Sequence, residues 1–152
     1  MKLAEALKER ADLLSRIGQL KSRAVSYALT QEGLLSPDDP KALLGELDDC
    51  VRRLESLISA INLTNCTLKV GERTMTECLA QRDALRLQLE AYRAVQNEVG
   101  SVNFRARGSE IKFEPALNVK ELTERTDKLA QELRLLDNQI QSANWSCELR
   151  QE

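Results

Sequence analysis

The sequence predicts a mainly α-helical protein, an antiparallel four-helix bundle of long helices with a β-hairpin inserted between the third and fourth helices. Its 152 residues are 42% hydrophobic and include only six Gly and three Pro, a composition typical of long helices. Four segments place apolar residues at alternating three- and four-residue steps, and one short stretch alternates with a period of two. We expect residues 1–152 to form a single helical-bundle domain.

The first helical segment runs from about Lys2 to Glu32. Its seam, the set of apolar positions that recur at helical spacing, consists of Leu3, Leu7, Leu14, Ile17, Leu20, Ala24 and Ala28. Gly33 follows this segment, and a glycine in that place is typical of a helix C-terminus. The pattern therefore predicts one long amphipathic helix at the start of the chain.

The second segment begins after a turn, with Asp39 as the expected N-cap and Pro40 as the first helical residue. Its seam repeats strictly in heptads and consists of Leu47, Val51, Leu54, Ile58, Ile61 and Asn65. Such a repeat indicates a face packed in a bundle or a coiled coil. The residues from Leu68 to Arg73 form a connection of ordinary length.

The third and fourth segments both begin with capping signals, Thr74 with Glu77 and Asn118 with Glu121. The third seam consists of Cys78, Arg82, Leu85, Leu89, Tyr92, Gln96 and Val99, and Gly100 ends the segment. The fourth seam consists of Val119, Leu122, Thr126, Leu129, Leu133, Leu136, Ile140, Ala143 and Cys147. Matched lengths and short connections predict an up-down-up-down arrangement of the four helices.

The stretch 102–114 alternates apolar and charged residues on either side of Gly108-Ser109, which suits a two-residue hairpin turn. That register sets Phe104 opposite Phe113, so the hairpin has one apolar and one charged face. The apolar face needs cover, either from the bundle or from another subunit, whereas the charged face can simply be solvated. We expect contact between subunits through Phe104, Arg105, Arg107, Ile111 and Phe113.

If the helices alternate in direction, the ends of the second and fourth segments and the start of the third share one end of the bundle. We call the polar residues expected there the polar pole: Asn62, Thr64, Asn65, Arg82, Asn144 and Trp145. These residues suit a polar network that sets the bundle register, or a pocket for a small anion or other ligand. Trp145 is expected to cap the end of the core.

Cys66, Cys78 and Cys147 are expected at the same end, where three thiols could hold a metal ion or act in redox chemistry. No Cys-x-x-Cys pair is present, so the expected role of these residues is apolar core filling. The chain contains no His, which excludes Ser-His and Cys-His nucleophile pairs and every His-containing metal site. We therefore expect no metal, no cofactor and no catalytic residues.

The chain has a net charge of −2 and no segment in which basic residues are concentrated, so binding to nucleic acid is not expected. The apolar runs are far shorter than a membrane-spanning helix requires. The first residues, Met1 to Glu5, enter directly into an amphipathic pattern without the apolar region of a signal peptide. We therefore expect a cytoplasmic protein that does not act at membranes.

Five short motifs together resemble a family of small, uncharacterised bacterial helical proteins, some of which carry the label septicolysin. The motifs, which extend over nearly the whole chain, are Met1–Leu7, Ile61–Asn65, Leu79–Asp83, Ser109–Phe113 and Ile140–Trp145. The resemblance implies a bacterial cytoplasmic coiled-coil protein with no catalytic residues to carry over. The label also implies activity on membranes.

These observations favour a non-enzymatic structural or interaction protein that assembles into a homo-oligomer through its helices and its β-hairpin. The alternative is a small-ligand, anion or metal-binding module with its site at the polar pole and its cysteines. A membrane-active protein ranks third, and an enzyme ranks last because no nucleophile in the sequence has a matching base.

Overall fold

The computed structural model describes residues 1–101 and 112–150, which form four long helices and one two-stranded antiparallel sheet. The mainly helical prediction is confirmed. In chain order the elements are α1 (Leu3–Ser26), α2 (Pro40–Thr67), β1 (Lys69–Val70), β2 (Arg73–Thr74), α3 (Met75–Gly100) and α4 (Val119–Ser146).

The chain divides into two compact units. The first unit comprises Met1–Leu68 and Ala143–Glu152, and the second comprises Lys69–Ser142. The first unit therefore contains α1, α2 and the last turn of α4, whereas the second contains the sheet, α3 and the rest of α4. That the whole chain forms one helical-bundle domain stays a prediction.

Three helices begin where the capping signals predict. The Asp39 side chain accepts a hydrogen bond of 3.0 Å from the amide of Lys41. At α3 the Thr74 amide donates to the Glu77 carboxylate at 2.6 Å, and the Glu77 amide donates to the Thr74 hydroxyl at 3.2 Å. The Asn118 side chain accepts from the fourth helix at 3.1 Å. These bonds satisfy amides that have no partner within the helix.

Helix α1 ends earlier than the sequence predicts. Its last residue is Ser26, and Tyr27 leaves helical geometry at φ −108° and ψ 9°. Gly33 has a φ of +82° but lies in the following loop, so its predicted role as the C-cap of α1 is wrong. Tyr27 still packs against the cluster of Leu20 and Ala24. Residues 28–35 are exposed, with Leu29 91% exposed, so they would bury little apolar surface by remaining helical.

The small sheet was not predicted. Lys69 pairs with Thr74 and Val70 with Arg73, and Gly71 supplies a φ of +65° at the turn between the strands. A positive φ at this point is the backbone conformation that glycine adopts without strain. Two-residue strands are too short to produce a recognisable alternation, which explains why the sequence indicated only a connection.

The β-hairpin predicted for residues 102–114 falls mostly on residues 102–111, which lie outside the described part of the chain. Four of the five predicted oligomer contacts lie there as well: Phe104, Arg105, Arg107 and Ile111. Phe113 is described, and its side chain is more than half exposed in a segment without strand structure. The hairpin and its contacts therefore stay a prediction.

In the first unit the core is built between α1 and α2 with help from the chain after α4. One buried cluster joins Leu3 and Ala6 to Leu57 and Ile61, and Cys147 and Leu149 pack against it. Backbone hydrogen bonds connect these parts, since the Leu3 amide donates to the Cys147 carbonyl at 2.9 Å and the Leu149 amide to that of Met1 at 2.8 Å. A second cluster contains Leu20, Ala24 and Leu43.

The predicted seams of α1 and α2 are wrong in part. The buried or half-buried residues of α2 and its C-cap are Pro40, Leu43, Leu47, Cys50, Leu54, Leu57, Ala60, Ile61, Thr64, Asn65 and Leu68. Leu47, Leu54, Ile61 and Asn65 belong to the predicted set, whereas Val51 and Ile58 are exposed. In α1 the half-buried residue is Leu13 rather than Leu14, and Ala28 lies beyond the helix end.

The cause is a second apolar residue directly after two of the buried positions. Cys50 precedes Val51, and Leu57 precedes Ile58, so two sets of positions are apolar in the sequence. Both sets contain Leu47, Leu54 and Ile61, so the choice between them rotates the buried face by about 50°, half of the angle between neighbouring residues. Tertiary contacts selected one of the two sets.

In the second unit the predicted seams of α3 and α4 are largely confirmed. The buried members are Cys78, Leu85, Leu89, Leu122, Thr126, Leu129, Leu136 and Ile140, whereas Val119 is exposed. The two helices run antiparallel, because Arg86 pairs with Asp137 at 3.6 Å and Gln96 donates to Thr123 at 3.5 Å.

Candidate functional site

One side of the α1–α2 hairpin carries a ladder of ion pairs. Its three residues on α1 are spaced by heptads: Glu9, Arg16 and Arg23. Their partners are, in the same order, Arg53, Glu46 and Asp38. We call this side the charged flank.

The outer pairs of the ladder have the best-defined geometry. Arg53 donates to both carboxylate oxygens of Glu9, at 2.6 and 3.0 Å, and Arg23 donates to one oxygen of Asp38 at 2.6 and 3.1 Å. These hydrogen bonds and the attached negative charges raise the pKa of both guanidinium groups above the usual value. The ladder sets the register of the two helices, because sliding either helix by one heptad would bring charges of the same sign together.

Sequence reasoning missed this ladder. The signal was the heptad spacing of Glu9, Arg16 and Arg23, matched by Glu46 and Arg53 on α2 with opposite charges in antiparallel order. In heptad letters, where a and d face the partner helix, these residues occupy g positions. Antiparallel helices bring g positions together on one side of the seam and e positions together on the other.

The opposite side of the same hairpin is apolar. Its e positions include Leu14, Leu44, Val51 and Ile58, which we call the apolar flank; they are 54%, 50%, 43% and 38% exposed, respectively. Lys21 is the charged residue among the e positions of α1. Heptad spacing lines these side chains up along the hairpin, so they form a stripe rather than isolated exposed residues.

The loop between α1 and α2 exposes further large apolar side chains. Leu29, Leu34 and Leu35 all project into solvent, and Leu35 is almost fully exposed. The loop is held by a hydrogen bond of 3.2 Å from the Thr30 hydroxyl to the Leu34 carbonyl. The first unit therefore exposes apolar surface both along one flank and at its tip.

Part of the predicted polar pole lies in the first unit, at the C-terminal end of α2. Thr64 is buried there, and its hydroxyl donates to the Ala60 carbonyl at 2.7 Å and accepts from the Arg150 amide at 3.0 Å. Asn144 is also buried, whereas Asn65 is half-buried and Asn62 is exposed. The hydrogen bonds of Thr64 thus attach the C-terminal segment to α2.

Trp145 does not cap the core. Its side chain is 64% exposed, because the buried positions of this turn are Asn144 and, in part, Cys147, and Trp145 points away from them. Arg82 belongs to the second unit and is half-buried, and its guanidinium pairs with the adjacent Asp83 at 3.1 Å.

The cysteines differ in their surroundings. Cys66 is exposed and Cys147 is half-buried in the first unit, whereas Cys78 is buried in the second. Among residues 1–101 and 112–150, no group of three or more Cys, Asp or Glu side chains is arranged to hold a metal ion.

The two ends of the first unit are joined by ion pairs. Glu148 accepts from the Lys2 ammonium at 2.6 Å and lies 3.2 Å from the amino group of Met1. Lys2 and Glu148 also form an isolated antiparallel β-bridge. The hydrogen bond from Lys2, followed by that from the terminal amino group, lowers the pKa of the Glu148 carboxyl below its usual value.

An open groove of about 700 Å³ lies beside these ends, in the size range of small-molecule sites. Met1, Arg53, Ser56, Ser59 and Leu149 are among the residues that line it. The guanidinium group of Arg53 in this groove already donates hydrogen bonds from two of its nitrogen atoms to the Glu9 carboxylate. The Glu9 carboxylate offsets the positive charge of that guanidinium and so weakens its attraction for an anion, and the groove therefore does not favour the anion-binding alternative.

Comparisons with known proteins identify relatives of the chain. Residues 10–149 match the model of a family described as a family of unknown function, DUF6847. A crystal structure of a functionally unknown conserved protein from Corynebacterium diphtheriae is 33% identical, with a TM-score of 0.93 and 99% coverage of both chains. No curated protein matches.

The resemblance to septicolysin-like proteins is therefore wrong, because the matching family is a different one and nothing else points to a septicolysin. Short motifs on Leu-rich amphipathic helices match one another easily, which is the reason that five of them suggested a family. No helix in the described ranges is both long and apolar enough to cross a membrane.

Proposed function

Because this chain belongs to DUF6847, a family of unknown function, we propose its role from its own geometry: a non-enzymatic interaction protein that assembles with copies of itself. In this proposal the long helices form bundle cores, and the apolar residues of segment 102–114 add to the contact between subunits. We propose the cytoplasm as its location, where its cysteines would stay reduced.

The observation that carries the proposal is the apolar flank of the first unit. Single exposed apolar residues are normal on protein surfaces, but a contiguous apolar stripe bordered by polar residues marks an interaction surface. Leu44, Val51 and Ile58 lie at heptad spacing along one side of α2, and Leu14 adds to this stripe from α1. Leaving it in water costs free energy that binding would recover.

The chemistry of the chain supports a binding role over catalysis. The sequence has no His to act as a general base at neutral pH. The buried Thr64 hydroxyl is engaged by backbone groups on both sides, and the groove arginine is held by Glu9. The contacts of the Thr64 hydroxyl and of the Arg53 guanidinium thus support a role in folding for these two groups.

The proposal is tested by sedimentation equilibrium of the full chain across the micromolar range. We expect a concentration-dependent mass above the 17.1 kDa of the monomer. The double substitution of Phe104 and Phe113 by Ser should reduce assembly more than it lowers the melting temperature. A clean monomer over the whole concentration range would rule out self-assembly.

A further inference from the structure

We propose that the α1–α2 hairpin is half of a four-helix bundle whose other half is the same hairpin of a second copy, joined through the apolar flank. The inference rests on the proposed self-assembly and names the surface and the copy number. It predicts a symmetric dimer, in which one patch of the surface contacts its own equivalent.

The heptad pattern of α1 and α2 supports this assignment. Both helices carry apolar residues at the a and d positions and again at e, as shown by Leu7 and Leu14 on α1 and by Leu44, Val51 and Ile58 on α2. A seam at a and d alone is typical of a two-stranded coiled coil, whereas a third apolar position is typical of helices that face a bundle core. Two such helices bury the a and d positions and leave e open.

The second unit does not have the third apolar stripe. Its e positions carry Arg86 and Arg93 on α3 and Asp137 on α4, and Arg86 pairs with Asp137. Those charges are solvated in a two-helix pair and would lose solvation against an apolar face. A second copy of the first hairpin instead offers a stripe of the same length, spacing and chemistry.

The charges at the edge of the apolar flank are compatible with self-association. Lys21 lies on the stripe, and Lys41, Asp48 and Glu55 occupy b positions beside it on α2. All four side chains are exposed, so the edge carries two charges of each sign. A second copy therefore brings carboxylates to the edge that carries a lysine, and in this way the flank is complementary to itself. The charged flank lacks this property, because its charges are already paired.

The test introduces a charge into the stripe and measures the dissociation constant of the full chain by sedimentation equilibrium. Val51→Lys and, separately, Ile58→Lys are expected to weaken dimerisation by about a hundredfold or more, because each places a charge in the apolar core of the interface twice. Leu87→Lys is the matched control: Leu87 is an exposed apolar residue of α3, outside the flank. It should leave the dissociation constant unchanged.

A charge reversal that can be rescued separates loss of assembly from loss of folding. Lys21→Glu places a further carboxylate at the edge of the flank and is expected to weaken dimerisation by about tenfold, whereas the chain that also carries Asp48→Lys and Glu55→Lys should regain the lost affinity. Circular dichroism of each Lys variant should show native helix content, and the milder Ile58→Ala should weaken the dimer in the same direction.

The outcomes distinguish the two proposals. A monomeric wild-type chain overturns self-assembly and this inference together. An oligomer that is insensitive to Val51→Lys, Ile58→Lys and Lys21→Glu overturns only the assignment of the flank, as does a folded trimer or higher species. A monomer in which the flank amides and side chains are protected from solvent shows that another surface covers the stripe, and also overturns the assignment.

Discussion

The two helical hairpins of this protein are both antiparallel helix pairs, but they differ in the residues that flank their buried seams. In the first unit, the α1–α2 pair has a charged flank of three ion pairs and an apolar flank that is exposed. In the second, the α3–α4 pair carries polar or charged residues beside much of its seam, including the Arg86–Asp137 pair. The difference explains why the seams of the second unit were largely predicted correctly, whereas part of the α2 seam was placed one residue away from the buried positions.

A helix with polar neighbours on both sides of its seam has one apolar face, and its phase can be identified from hydrophobicity alone. A helix with an apolar residue at a third heptad position has two candidate faces. The residue pairs Cys50–Val51 and Leu57–Ile58 are of this kind. The ambiguity is informative, because the face left over after pairing is a candidate surface for a further partner.

The largest expected effect tests the phase of each hairpin directly. Leu57→Ala in α2 should lower the free energy of unfolding by about 2–4 kcal/mol, because it empties a buried site, whereas Ile58→Ala should cost under about 1 kcal/mol. Urea denaturation measures both, at a concentration that keeps the chain monomeric. Equal losses would mean that α2 packs with both faces.

The second unit offers a matched pair of substitutions. Leu136 is buried and Leu135 is 51% exposed, so Leu136→Ala should be the more destabilising by a similar margin, about 2 kcal/mol. The same ranking in both units would confirm that each hairpin has a single buried seam.

The next effect concerns the helix starts. Thr74→Ala removes the capping box of α3 in the second unit and should cost about 1 kcal/mol, whereas Thr74→Ser should retain most of the stability. Asp39→Ala, at the start of α2 in the first unit, removes one hydrogen bond and should cost less than Thr74→Ala. Thermal or chemical unfolding ranks them, and a larger loss for Asp39→Ala would reverse the comparison.

A smaller effect distinguishes the charged flank from its counterpart in the second unit. A double-mutant cycle with Arg16→Ala and Glu46→Ala should give a coupling energy of about 0.2–1 kcal/mol that decreases at high salt. The Arg86–Asp137 cycle should give less, since that pair meets at 3.6 Å without a short hydrogen bond. Zero coupling at Arg16–Glu46 in low salt would show that the ladder does not contribute to register.

The smallest expected effect is on the pH dependence of stability, to which one carboxylate in each unit contributes. Contacts lower the pKa of Glu148 in the first unit, chiefly through Lys2, and of Glu77 in the second, chiefly through the Thr74 amide. A carboxyl with a lower pKa in the folded state stabilises the fold above its unfolded pKa, and this contribution is lost as the pH falls through the folded value.

Each of the substitutions Glu148→Gln and Glu77→Gln should therefore destabilise the protein at neutral pH. Each should also reduce the stability that is lost when the pH falls below about 4.5. Melting temperatures from pH 7 to pH 3 measure this, and Glu72→Gln, at the nearby turn, is a control. A variant whose pH profile matches the wild type would show that its carboxylate has the same pKa in both states.

Much of the fold could be predicted because the signals are local. The starts of α2, α3 and α4 depend on side chains that bond to amides a few residues away, so sequence spacing suffices. The sheet at Gly71 and the early end of α1 could not be predicted. The strands are too short to show a period, and the end of α1 depends on whether Leu29 finds a core.

The polar pole shows the limit more clearly. Thr64 was expected among polar groups of other helices, and its hydrogen-bond partners are the Ala60 carbonyl and the Arg150 amide. Trp145 was expected in the core and is exposed. Both outcomes depend on the path of the chain after α4, which joins Met1 and Leu3 through backbone hydrogen bonds that carry no side-chain signal in the sequence and joins α2 through the Thr64 hydroxyl.

The sequence by itself determined the helical class, the helix starts and the seams of the second unit, because these follow from local capping chemistry and from a hydrophobic period with a single solution. Only the tertiary structure decided which of two overlapping apolar faces of α2 is buried. Two faces of α2 were apolar enough to form the seam. The face that is buried is accompanied by three ion pairs, which connect residues far apart in the sequence. That choice left Val51 and Ile58 in solvent, and with them the surface that we propose for a second copy.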